Sequence, residues 1–80
     1  MLLADGFNRA FIGIGHRAAS QDVAEYDYDR CAKVLMRRDG MTREEAYEFL
    51  DFNVVGSYVG DLTPIFVERV SIKEVMHEEP

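Results

Sequence analysis

The sequence predicts a small α+β domain in which a helical hairpin packs on a three-stranded, mainly antiparallel sheet, in the order β-β-α-α-β. Three observations predict it. "FNRAFIGIG" and "DVAEY" are short and rich in β-branched and aromatic residues, and the second alternates apolar and polar positions. Two longer stretches follow, with helical periodicity and clear start and stop signals. A last β-rich run, "TPIFVERV", closes the order. Eighty residues at 48% apolar composition fit one domain, near the size at which a single core only just outweighs chain entropy. The ordered core is expected over about 7–70, with 71–80 as a frayed tail.

The first strand is expected over about 9–14, where Phe and Ile accumulate before glycines. "HRAASQ" is a polar loop, and 22–26 supplies the hairpin partner. In "DYDRCAKVLMRRDG", Asp27 is a natural N-cap and Asp29 favours the positive helix end. Arg37 and Arg38 suit the negative end, and Gly40 stops the helix. Tyr28, Cys31, Ala32 and Leu35 share one face, with Arg30, Lys33 and Arg37 on the other.

The second helix opens on a capping box, Thr42 with Glu45, and Met41 is placed to staple onto Ala46. Its pattern predicts a helix to about Val59, with Gly60 as a left-handed exit and Pro64 soon after. At 100° per residue, Asn53, Gly56, Ser57 and Gly60 fall on one line. Leu50, Val54, Tyr47 and Tyr58 flank it, while Phe52, Val55 and Val59 lie on the far side. Gly56 costs about 1 kcal/mol against Ala in a helix interior, so the stripe reads as a groove for close packing. Its occupant is the sheet or the first helix. Alternatively, Phe52, Val55 and Val59 form a homodimer seam, or Asn53, Ser57 and Tyr58 line a ligand groove. The third strand is expected over 63–70.

Residues 1–42 carry six acids and six bases, whereas 43–80 carry nine acids against Arg43, Arg69 and Lys73, the whole net charge of −6. That half disfavours direct nucleic-acid contact, which needs dense Lys and Arg, and suits a basic protein partner. The lone Cys31 rules out an internal disulfide and fits a reducing compartment. No apolar run approaches the roughly 20 residues of a membrane span, and "MLLADG" is too short for a signal core, so a soluble, cytoplasmic protein is expected.

Few residues point to catalysis. "GIGHR" has glycines, His16 and Arg17 past a strand, but no helix follows closely enough for a phosphate loop. A looser anion site at His16 and Arg17 remains, against a plain hairpin loop with a solvated Arg. His16, Cys31 and His77 lack chelating spacing, so no metal is expected, and Cys31 reads as a buried small hydrophobe. No catalytic residue and no cofactor is assigned. Glu44, Glu48 and Asp51 form an acidic stripe, either facing the basic stripe of the first helix or solvated.

"GFNRAFIGIGHR", "YDYDRC" and "DGMTREEAYEFLDFNVVGSYVGDLTPIF" together resemble an uncharacterised family of short proteins encoded in phage and prophage genomes. The likeness spans about residues 5–67. It brings no activity and no catalytic residues, and implies a protein made inside a bacterial host cell. The leading expectation is a non-enzymatic module that binds a host or phage protein, such as one that handles nucleic acid, as an inhibitor of host defence would. Glu44, Glu48 and Asp51 would supply the electrostatics and Phe52, Val55 and Val59 the buried contact. A small nucleotide or anion binder using Gly13–Arg17 with Asn53 and Tyr58, and a structural homodimer without another partner, are the alternatives.

Overall fold

The computed structural model describes residues 1–57 and 60–78. A 3-10 turn, Asn8–Ala10, leads into β1 (Phe11–Gly15), and β2 (Val23–Asp27) returns antiparallel to it. The expected start of the first strand at residue 9 is therefore corrected: the 3-10 turn occupies that position and buries Ala10. Between Phe11 and Gly13 the register slips by one residue, a bulge that bends the first strand.

Helix α1 (Tyr28–Asp39) starts where predicted. The Arg30 amide donates to Asp27 Oδ1 at 2.9 Å, and Gly40 ends the helix at φ 68°. The second carboxylate oxygen of Asp27 lies 3.0 Å from Arg69 Nε, so one buried side chain both caps α1 and holds the segment after the last strand. Helix α2 (Arg43–Phe49) carries the complete capping box: the Glu45 amide donates to Thr42 Oγ1, and the Thr42 amide donates to Glu45 Oε1. Met41 packs against the core that contains Ala46.

The uninterrupted helix expected to Val59 is corrected. After Phe49 the backbone widens into a π-helical segment, Leu50–Val54, then tightens into a 3-10 turn, Val55–Ser57. The Val55 amide is shared between the carbonyls of Leu50 and Asp51. Leu50 and Val54 are both buried in the core. Tyr58 and Val59 lie outside the described residues.

β3 (Ile65–Val67) joins the far side of β2, giving the order β1-β2-β3. It is shorter than expected and runs parallel to β2, with Tyr26 paired to Phe66 and Asp27 to Val67. The sheet is thus mixed rather than mainly antiparallel. Parallel strands need a long crossover, and the two helices with the turns after them supply it. Where a frayed tail was expected, Ile72–Glu78 forms helix α3, with Ser71 Oγ accepting from the Glu74 amide.

The core is one cluster centred on Tyr26, Cys31, Leu35 and Leu50, all essentially inaccessible. Tyr26 sits between Phe11, edge-on at 5.6 Å, and Phe66, stacked at 5.8 Å. The N-terminal segment enters this core. Ala4 is fully buried with its amide donating to Tyr26 Oη at 2.9 Å, Phe7 is buried, and the Leu2 amide donates to the Leu62 carbonyl. The ordered core therefore begins before residue 7. Arg38 fastens that segment onto α1, donating to the Gly6 carbonyl at 3.0 Å and lying over the Phe7 ring.

Candidate functional site

The irregular second half of the α2 region projects apolar side chains outward. Leu50 and Val54 face the core, while Phe52 is 75% exposed, and Phe49 and Val55 are also exposed. Phe49 and Phe52, with Met41, Glu45, Glu48 and Asn53, border a shallow depression of about 460 Å³. Among the described residues Glu44 and Glu48 form no ion pair. Glu45 is committed to the capping box, and its bonds from Thr42 hold its carboxyl below the usual range.

Asp51, expected beside those acids, is already engaged. Tyr28 Oη donates to it at 2.5 Å, and reciprocally Tyr47 Oη donates to Asp29 at 2.5 Å. The two rings lie 5.3 Å apart. No ion pair joins Arg30, Lys33 or Arg37 to Glu44, Glu48 or Asp51 among the described residues, and all six are exposed. Of the two alternatives for the stripes, facing each other or solvated, the second holds, and the contact across the hairpin is this phenol–carboxylate clasp.

The polar line is not a groove filled by the sheet or by α1. Asn53, Gly56 and Ser57 are exposed, and Ser57 Oγ donates to the Val54 carbonyl at 2.9 Å. The π-helical turn shifts the phase, so a line drawn at 100° per residue no longer marks one face. Gly56 is needed for a different close approach: a Cβ there would meet the Asp51 carbonyl oxygen at 2.8 Å. Gly60 does take the predicted left-handed conformation, at φ 103°.

At the hairpin, His16 Nδ1 lies 2.8 Å from Asp22 Oδ1, closing the loop on itself. The Ser20 amide donates to the Arg17 carbonyl, and the Arg17 side chain is exposed. An anion approaching His16 would meet that carboxylate. The geometry matches a hairpin loop tied at its base.

Sequence reasoning missed a second feature. Asn8 and Arg9 of the 3-10 turn face Arg30, Lys33, Arg37 and Arg38 of α1 across a groove of about 750 Å³, with Val34 on its wall. The α1 stripe was legible as three cations on one face. The opposite wall was not, because the sequence pattern predicts a strand from residue 9, where the structure has a 3-10 turn.

No family model, no curated protein and no solved structure matches this chain.

Cys31 is buried, and burial together with the nearby Asp27 charge pushes its thiol up to about 12. At neutral pH it is not a thiolate nucleophile. Among the described residues no three His, Cys, Asp or Glu side chains are grouped to hold a metal ion, and no helix is long and apolar enough to cross a membrane.

Proposed function

We propose that the chain is a small protein-binding module that docks through Phe49, Phe52 and Val55, with Glu44 and Glu48 steering it onto a basic rim of the partner. The exposure of Phe52, 75% in the middle of an ordered element, carries this reading. Leaving such a side chain in water forgoes about 1.5–3 kcal/mol of burial. Aromatic residues concentrate in the cores of interfaces, and flanking charges set orientation and association rate. Asp51 is removed from the expected electrostatic set because Tyr28 holds its carboxylate. Val59, the third expected contact, lies outside the described residues and is not used.

The sequence resemblance supports a phage setting, with a host or phage protein as partner. A basic channel that handles nucleic acid would present the charge that Glu44 and Glu48 favour. A homodimer using the same apolar face is the second reading, favoured by the same exposed phenylalanine. The hairpin-loop alternative draws no support from a histidine already paired with Asp22.

The test places a photo-crosslinking amino acid at position 52, and at Ser20 as a control, in cells that naturally make the chain. The module reading expects a discrete adduct to another protein from position 52, lost in Glu48→Lys. Adducts at twice the chain mass alone would establish the homodimer instead. Equal labelling from both positions would overturn both readings.

A further inference from the structure

From the groove between the Asn8–Ala10 turn and α1, we infer a binding site for a small oligophosphate, a compound carrying two or more linked phosphate groups. The inference goes beyond the protein-docking face and does not rest on it. Arg30, Lys33 and Arg37 occupy positions i, i+3 and i+7 of α1, a row of about 10 Å at 1.5 Å per residue. Arg9 faces them from the 3-10 turn, and Arg38 closes one end.

Arg38 is already engaged by Asp39 and the Gly6 carbonyl. The other four cations have no carboxylate partner among the described residues. This arrangement is unexpected in a chain with 15 acids and 9 cations. Like charges three and four residues apart on a helix repel by a few tenths of a kcal/mol per pair, a cost that a bound anion removes. The groove's volume of about 750 Å³ falls within the range of small-ligand sites.

The donor set selects the anion. Three of the four free cations are guanidinium groups, whose planar fork matches phosphate oxygens in pairs. Four free cations exceed what one monoanion neutralises, so two or more phosphates fit better than one. A long nucleic acid fits poorly. Beyond the groove, 15 acids face only the 4 remaining cations, and a strand leaving the site would cross a repelling surface. Among the described residues no aromatic side chain borders the groove to stack a base, so affinity should follow phosphate number rather than nucleobase.

The full chain is titrated at moderate salt with orthophosphate, tripolyphosphate, a nucleoside triphosphate and a single-stranded oligonucleotide, reading backbone amide resonances. Saturable shifts at Asn8, Arg9 and Lys33 are expected, with tripolyphosphate at least about tenfold tighter than orthophosphate. The nucleoside triphosphate should match tripolyphosphate. The Arg30→Gln, Lys33→Gln, Arg37→Gln triple variant should lose about tenfold or more with its melting temperature unchanged. If the triple variant does not fold, each single variant must weaken tripolyphosphate binding several-fold. Failure of tripolyphosphate to saturate at millimolar concentration, shifts located elsewhere, or unchanged affinity in folded variants would overturn the site. Tighter binding of the oligonucleotide than of tripolyphosphate would also overturn it, in favour of a nucleic-acid interface.

Discussion

The Tyr28 phenol donates to the Asp51 carboxylate at 2.5 Å, joining the first turn of α1 to the π-helical segment after α2. Tyr47 returns an equivalent bond to Asp29. For Tyr28, burial first, then the bond and the charge of Asp51, raise the phenol well above its ordinary value. For Tyr47, the bond to Asp29 leads and burial adds to it. The folded state thus favours both neutral phenols. Their contribution is complete below the unfolded value of about 10 and is lost as pH rises beyond it. Urea unfolding across alkaline pH should show stability falling above about pH 10. Tyr28→Phe should cost about 1 kcal/mol at neutral pH and make that fall shallower. An unchanged alkaline slope would show that the clasp does not couple to folding.

Gly56→Ala normally stabilises a helix interior by about 1 kcal/mol. Here the new methyl would meet the Asp51 carbonyl oxygen at 2.8 Å, a backbone atom that cannot rotate away. The expected outcome is the reverse sign, a loss of about 1–2 kcal/mol in thermal or urea unfolding. A stabilised variant would mean that the π-helical turn converts to α-helix without cost.

Leu50 and Phe52 are two residues apart and opposite in burial, one inaccessible and the other 75% exposed. Leu50→Ala should cost about 3 kcal/mol, as large buried aliphatic groups do. Phe52→Ser should leave stability within about 0.5 kcal/mol. Equilibrium denaturation of the pair checks the phase of the π-helical segment directly. A large loss at position 52 would place that ring in the core.

Asp27→Ala removes the α1 cap and the partner of Arg69 in one change. Because the side chain is buried and holds two elements, a loss of about 2 kcal/mol is expected. Arg69→Ala should cost less, about 0.5 kcal/mol, since that guanidinium is well exposed. Equal losses would mean that the ion pair, not the cap, dominates.

Cys31 should resist thiol reagents in the folded protein at neutral pH and react rapidly in denaturant. It is fully buried and its thiol stays protonated. Labelling followed by mass spectrometry reads this out. Fast native labelling would indicate frequent opening of the α1–sheet contact.

The signals legible from the chain were those completed within a few residues. Asp27 reaches the amide three positions on, Thr42 and Glu45 satisfy each other, and Gly40 needs only its own backbone freedom. The types of β1, β2, α1 and α2 followed in the same way from composition and period, whereas α3 lies where a frayed tail was expected. The end of the second helical stretch was misphased because a single widened turn breaks the 3.6-residue period, and side-chain pattern alone does not reveal it. Phe52 was nevertheless readable as lying opposite the core, since an apolar residue on the second side of a helix is visible in its spacing.

Long-range geometry was decided only by the tertiary structure. The long crossover brings β3 parallel to β2, the first seven residues fold back under Tyr26, and Arg9 meets the α1 cations across a groove. Tyr28 and Tyr47 find carboxylates 23 and 18 residues away. Such contacts require closing long loops, and which closures win depends on the summed burial and bonding of the whole chain rather than on any window of it. Capping needs no such sum, which is why the chain's own order of residues was enough to decide it.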